Sequence, residues 1–386
     1  MPGNTFDMRI GFAARYDPRD KRTWSGTAYY TYQQLCKYGE VLIYQYDLPK
    51  LLQEWLTTRK SINRKFFKKK TAVEFLVSYA KHFSKKLTKD LRKRPVDILF
   101  VSASPQLIAY VETDIPIVYM TDATFQQLQG YYESFSNLSV ANIREGLHLD
   151  KKAFQKAAHC MLASDWCRDA ALQDYGIAAE KISVVPCGAN LDQVPPAMYA
   201  ATDPNKTCQL LFLGVEWSRK GGDLALETFR LLKQKGIPVS MHIIGSVPPV
   251  PVDPTEGITV IPFLDKNKPE DFQELESVFR QTDFLLLPTR AECAGIVFCE
   301  AAAYGIPSIS TDTGGVRSYV REGLNGYLLP VSAGASEYTR VIAALWEDAT
   351  RLQELKKSSR ILFEKELNWD AWGLGFQRIA SRLCAK

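Results

Sequence analysis

Histidine is scarce in this chain: the four residues, at 82, 148, 159 and 242, show no metal-ligand spacing. No D-x-D triplet offers paired carboxylates to a divalent cation. The eight cysteines stand at 36, 160, 167, 187, 208, 293, 299 and 384, with no C-x-x-C pair. Several lie inside apolar runs, so they read as free buried thiols of a reducing cytosol. No apolar run approaches the roughly 18 residues of a membrane span, and Met1 to Ile10 lacks the pattern of a secretory signal. No G-x-G-x-x-G follows a strand and no Walker loop is present, which argues against a dinucleotide oxidoreductase or a P-loop nucleotide hydrolase. No Ser-His-Asp or Cys-His arrangement supplies a nucleophile.

What the chain does contain is a regular alternation of strands and helices, the mark of α/β architecture with parallel sheets. Its 386 residues suit two or three domains. In the first half, strands are expected at Met8–Phe12, Glu40–Tyr44, Asp97–Val101, Ile115–Met120, Cys160–Ala163 and Ile182–Val185. Helices are expected at Thr27–Lys37, Thr71–Lys93, Asn137–Ala157 and Asp165–Tyr175. Prolines 186, 195, 196 and 204 mark a hinge, and a second alternation runs from Cys208 to about Lys365. The expected domains are 1–190 and 191–367. A final amphipathic helix, 368–386, carries an apolar stripe of Trp369, Trp372, Phe376, Ile379 and Leu383 that needs a surface to cover.

The net charge of +5 conceals an asymmetry. Arg59 to Arg94 holds fourteen Lys or Arg against Glu74 and Asp90, a surplus of +12 that leaves the remainder at −7. Phe66, Phe67, Phe75 and Phe83 are interleaved with these cations. An anionic membrane surface or acidic acceptor fits a basic aromatic face. A solvated helix face with inward-packed aromatics is the plain alternative, and nucleic acid is the least favoured partner.

The most informative segment is Glu292-Cys-Ala-Gly-Ile-Val-Phe-Cys-Glu300, an E-x7-E pattern after the apolar strand Asp283–Pro288. Glu292 falls on the loop beyond the strand's carboxyl end, the edge where open α/β sheets bind ligands. Glu300 falls about two turns into the next helix. The amides of Gly295, Ile296 and Val297 become first-turn donors suited to a phosphate. Carboxylates beside an anion site call for hydroxyls, and a sugar nucleotide carries both. An exposed loop acid and a solvated helix acid form the competing reading. Upstream, Leu210-Leu-Phe-Leu-Gly214 leads to Arg219-Lys220-Gly221-Gly222, a strand, two cations and a glycine-rich helix start that suit a diphosphate. Phe263-Leu264-Asp265 and Asp312-Thr-Gly314-Gly315-Val316 follow later strands.

Taken together, these motifs resemble the retaining glycosyltransferases of family 4, typified by bacterial mannosyl- and glucosyltransferases and plant sucrose synthase. The resemblance covers the C-terminal half in motif detail and the N-terminal half in architecture. It implies the GT-B fold: two Rossmann-like domains facing across a cleft, the last helix crossing back to the N-terminal domain. It further implies a nucleoside-diphosphate sugar as donor, UDP- or GDP-linked, and a saccharide or lipid-linked acceptor. The reaction would be hexosyl transfer with retention, by same-face attack, with no cofactor or metal. Glu300 would hold the ribose, Glu292 the transferred sugar, and Gly295, Ile296 and Val297 the phosphates. Gly214 would admit the diphosphate to Arg219 and Lys220. The backbone of Phe263 and Leu264 would meet the base.

The sequence departs from the family in two places. The cations at 219 and 220 are adjacent, whereas the family usually sets the arginine just after the strand glycine. Asp122 stands where many members carry a histidine, and a carboxylate cannot copy a neutral imidazole's donor role. Gly26 and Thr27, in Trp24-Ser25-Gly26-Thr27, occupy the family's glycine loop and count among the donor-binding residues, their amides facing the transferring phosphate or the acceptor; an ordinary Ser/Gly helix start is the alternative. Ser164 and Asp165 also fall after a strand. Localisation is expected to be cytoplasmic, with peripheral attachment to the membrane face. A nucleotide-sugar epimerase of the same architecture and a non-catalytic nucleotide-sugar-binding protein are the rival readings.

Overall fold

Short apolar runs bounded by glycine, proline or acidic residues become the strands here, because a parallel sheet covered on both faces leaves no position for polar alternation. A computed structural model describes residues 8–197 and 206–385. They fall into two compact units, Met1–Val185 with Gly373–Lys386, and Pro186–Trp372. Pro204 of the expected hinge lies outside the described residues.

The first unit is built on β1 (Arg9–Ala13), β2 (Glu40–Tyr44), β3 (Ile98–Ser102), β4 (Ile117–Thr121), β5 (His159–Leu162) and β6 (Ile182–Val184). These form one sheet in the order β2-β1-β3-β4-β5-β6, every pairing parallel. β3 and β4 are buried at every position. The strand order reverses between β1 and β3, so the loops leaving their carboxyl ends diverge and open a crevice.

The second unit repeats the plan with β7 (Cys208–Leu213), β8 (Val239–Ile244), β9 (Ile258–Ile261), β10 (Phe284–Leu287), β11 (Ser308–Thr311) and β12 (Gly326–Leu329). Its order, β12-β11-β10-β7-β8-β9, reverses between β7 and β10, where Leu210 faces Phe284 and Leu211 faces Leu285. The Gly214 and Glu292 segments therefore leave the sheet side by side.

Two helices differ from expectation. Thr71–Lys93 is not continuous: a short turn at Val73–Phe75 is followed by extended Leu76, and the helix proper is Val77–Lys93. The bend buries Leu76 fully and sets the Phe75 ring 4.4 Å from that of Phe125. A helix at Lys50–Phe67, unforeseen from the sequence, rests on buried Leu56 and exposes much of its length. Its docking face is too narrow to give a clear apolar period. The expected basic aromatic face is thereby divided. Phe75 and Phe83 are core residues, whereas Phe66 and Phe67 are exposed.

The last helix, Trp369–Cys384, belongs to both units. Trp369 donates its indole N–H to Asn190 Oδ1 at 3.0 Å in the second. From Gly373 onward it is part of the first, where Phe376 packs on Tyr38 and Phe100. Arg382 donates to His159 Nδ1 at 2.9 Å, which leaves the ring proton on Nε2 to reach Ser183 Oγ at 2.8 Å. Burial, aided by the Arg382 charge, pushes this imidazole down to about 4, so it stays neutral at ordinary pH.

Asp150, buried on the Val140–Lys156 helix, accepts from the Phe125 amide at 2.6 Å and the Tyr175 hydroxyl at 2.8 Å. It thus fixes the chain just after Asp122. Burial pushes its carboxyl up to about 7, against the pull of those two hydrogen bonds. With the folded value above the unfolded one, the folded state binds the extra proton. Stability is then fully present below about pH 4 and falls as pH rises through 7. Asp150→Asn removes that titration. Urea unfolding at pH 4.5 and 7.5 should show the wild type losing on the order of 3 kcal/mol more than the variant across the interval. A pH-independent difference would contradict this account.

Candidate functional site

After β7 the Gly214 amide is taken by the Ile244 carbonyl at 2.9 Å, and the chain turns through Glu216, at φ +65°, into a one-turn helix, Trp217–Lys220. Trp217 anchors the turn: its ring packs on Phe212 and its N–H donates to Asp223 Oδ1 at 2.6 Å. The Lys220 side chain folds back over Gly214, where an added Cβ would lie 3.1 Å from it. Gly221 follows at φ +76°, and a Cβ there would meet the Pro288 carbonyl oxygen at 2.0 Å. Glycine is needed twice over, for its backbone angle and for the close approach of the β7 and β10 loops. The Arg290 amide then donates to the Arg219 carbonyl at 2.8 Å.

This approach brings the cations to Glu292. Lys220 Nζ donates to Glu292 Oε2, and Arg219 Nη1 lies 3.7 Å from the same oxygen. Arg219 is also held by the Ala291 carbonyl at 2.9 Å and by Glu216 at 2.6 Å. Lys220 and Glu292 are each only 8% exposed. The Gly315 amide donates to the Glu292 carbonyl at 3.0 Å, so the glycine pair after β11 borders the same site.

Gly295, at φ +83°, caps the Ile296–Ala303 helix. The amides of Ile296 and Val297 have no acceptor within their own helix. Because the helix begins at Ile296, Glu300 lies just over one turn in, not two. It is 3% exposed, and its Oε1 accepts from Lys266 Nζ at 2.5 Å. Burial of both glutamates excludes the reading of two solvated acids. Cys293 and Cys299, within the motif, are buried, and burial drives the Cys299 thiol well above its usual range; they serve as packing. Six of the eight cysteines are buried, while Cys36 and Cys384 are exposed.

Lys266 is the residue that reading the sequence missed. It lies between β9 and the Pro269–Gln281 helix, on the loop that also carries exposed Phe263 and half-buried Leu264. Nothing in its local sequence sets it apart from other surface lysines.

In the first unit, Trp24, Ser25 and Gly26 take φ of +47°, +54° and +88° in succession. Two non-glycine residues in the left-handed region do not make an ordinary helix start. Thr27 opens the following helix and is buried. Arg15, after β1, donates its amide to Ser104 Oγ, after β3, at 3.2 Å. Asp122 is half-buried at the end of β4, two strand positions from β1 and so about 10 Å along the sheet edge. Ser164 is occupied as a helix cap for the Cys167 amide, and Asp165 pairs with Arg168. Among the described residues, no group of three or more His, Cys, Asp or Glu is placed to hold a metal.

Residues 40–193 match Glycosyltransferase Family 4, and residues 207–348 match Glycosyl transferases group 1. The chain belongs to this glycosyltransferase family. It is 26% identical over 227 residues to D-inositol 3-phosphate glycosyltransferase 1 of Catenulispora acidiphila, covering 55% of this chain and 52% of that protein. It is 29% identical over 199 residues to the D-inositol 3-phosphate glycosyltransferase of Rhodococcus erythropolis, covering 47% and 44%. The chain thus spans about half the length of the curated relatives it matches. In fold it is similar to sucrose-phosphate synthase from Thermosynechococcus elongatus, with TM-score 0.67, 15% identity, and 98% and 99% of the two chains covered. Anabaena HepE, solved in complex with UDP and glucose, gives TM-score 0.64 at 13% identity, with 97% and 100% covered. These likenesses establish the GT-B fold.

Gly221→Ala should lower stability by about 3 kcal/mol, combining a left-handed alanine with a backbone clash. Gly236→Ala is the control: φ is +81° there too, but nothing lies within 4 Å of the added Cβ, so about 1 kcal/mol is expected. Equal losses in chemical denaturation would contradict the close approach at Pro288.

Proposed function

We propose that this protein is a retaining, metal-independent hexosyltransferase that takes a sugar from a nucleoside diphosphate, UDP or GDP, to a hydroxyl of a saccharide or lipid-linked acceptor. The observation that carries the reading is the meeting of Arg219 and Lys220 with buried Glu292 where the second sheet's strand order reverses, beside the amino end of the Ile296–Ala303 helix. Two cations and first-turn amides are the kinds of donor a diphosphate calls for.

A diphosphate arriving there would take over Lys220 and Arg219 and free the Glu292 carboxylate for hydroxyls of the transferred sugar. As the glycosidic bond breaks, negative charge grows on the bridging oxygen, and a fixed Lys220 would stabilise it. The acceptor hydroxyl would attack from the same face and give its proton to the departing phosphate, so no protein nucleophile is required. Asp122, after β4, would accept from a donor or acceptor hydroxyl, and the Gly26 and Thr27 amides would face the transferring phosphate or the acceptor.

The acceptor's setting is read from the Lys50–Phe67 helix. Trp55, Ile62 and Phe66 are 46%, 45% and 71% exposed and share one helical face at offsets of seven and eleven residues. Lys60, Arg64 and Lys65 lie on the same helix. An apolar stripe amid cations suits the interface of an anionic bilayer, consistent with peripheral work on a lipid-linked acceptor. No helix among the described residues is long and apolar enough to cross a membrane.

Lys220→Ala should depress turnover of the donor more than its binding, because the charge it meets grows toward the transition state. Radiolabelled transfer beside calorimetric binding would measure both, and equal losses would reduce Lys220 to ground-state recognition. Wild-type transfer should persist in EDTA; abolition would refute the metal-free step. In sedimentation, the protein should bind anionic vesicles at low salt and leave them as salt rises. Ile62→Ser with Phe66→Ser should weaken that binding, and indifference to anionic lipid would remove the membrane assignment.

A further inference from the structure

Glu300 and Lys266 are 34 positions apart in sequence and meet only in the folded unit. A carboxylate buried as deeply as Glu300 needs a counter-charge, and Lys266 supplies it from the loop after β9. The side chains differ in exposure, 4% for Glu300 and 30% for Lys266, so the lysine lies on the solvent side of the pair.

The loop is shaped without help from that side chain. The Asp265 amide donates to Asp271 Oδ2 at 2.7 Å, and Asp265 Oδ1 accepts from the Asn267 amide and side chain at 3.0 and 2.8 Å. The Lys268 amide adds a bond to the Asp265 carbonyl at 2.8 Å. Lys266 thus sits on a preformed turn with its side chain committed to Glu300. Phe263 and Leu264, just upstream, ride on the same loop. Among the described residues no hydrogen bond reaches Glu300 Oε2, and a carboxylate has about four lone-pair sites. Capacity remains for a vicinal diol.

We propose that Lys266 is a positioning residue for nucleotide recognition: its pair with Glu300 fastens the Phe263–Leu264 loop to the Ile296–Ala303 helix and so sets the separation of base and ribose subsites. The proposal rests on the donor reading above. It assigns nucleoside affinity to a pair distinct from the Arg219 and Lys220 cations that would hold the diphosphate. Substituting Lys266 should therefore impair recognition of the nucleoside while sparing the chemical step.

The test titrates UDP, GDP and ADP, and separately inorganic pyrophosphate, into wild type, Lys266→Ala, Lys266→Arg, Glu300→Gln and the Lys266→Ala/Glu300→Gln double variant. The nucleoside diphosphate that wild type binds most tightly should bind Lys266→Ala about tenfold more weakly, a typical loss for a charge-assisted hydrogen bond. Lys266→Arg should recover most of that loss. The double variant should be no weaker than the poorer single variant, since the two residues act as one unit. Pyrophosphate affinity should not change, and donor KM should rise in Lys266→Ala with kcat within about twofold of wild type. Unchanged nucleotide affinity in Lys266→Ala beside a weakened Glu300→Gln overturns the role of Lys266 alone. Equal weakening for pyrophosphate also overturns it, marking a general structural defect. Unchanged affinity in Glu300→Gln, or no nucleotide binding by wild type, overturns the donor reading beneath it.

Discussion

Opposite charges held out of water organise the carboxyl edge of the second sheet. Lys220 and Glu292 come from loops 72 residues apart in the chain, and neither tolerates burial alone, since an unpaired buried ion costs several kcal/mol. Their pairing requires the β7 and β10 loops to touch, the touch requires glycine at 221, and the bare Cα of Gly214 leaves room for the Lys220 side chain. Arg219, Gly315 and the capped Ile296–Ala303 helix then fall into place around Glu292. The same burial that stabilises the loops thus fixes two cations and a carboxylate beside the start of that helix.

The two units put one plan to different use. Both sheets reverse strand order near the middle, and both place loops at that crevice. In the second unit the loops are pinned by buried charge. In the first they are held by the Arg15 to Ser104 bond and by Asp150 beneath the residues after Asp122, and the chain after β1 passes through left-handed Trp24 and Ser25. Left-handed non-glycine residues of this kind persist only where the surroundings enforce them. A shared fold at 13–15% identity says how the crevices arise and nothing of what enters them; the side chains at 122, 266 and 292 must supply that.

Charge counts illustrate the difference between composition and surface. The +12 surplus from Arg59 to Arg94 is visible in the sequence, yet its aromatics part ways on folding. Phe75 and Phe83 pack inward because the bend at Leu76 turns them to the core, while Phe66 stays in solvent on a helix with a narrow footing. The count located the basic region but not the face.

The sequence by itself determined the α/β class, the first unit's six strands to within one or two residues, and the placing of the Gly214–Gly222 and Glu292–Glu300 segments each just after a strand. Those features are local: apolar runs, glycines and spacing within a loop carry them. Tertiary structure alone decided that Lys220 pairs with Glu292, that Lys266 joins the site, that Asp150 is buried with a raised pKa, and that Thr71–Lys93 bends. Each of these depends on which distant segment supplies the neighbour. Burial, counter-charge and close backbone approach are properties of pairs, and no single stretch of sequence states its partner.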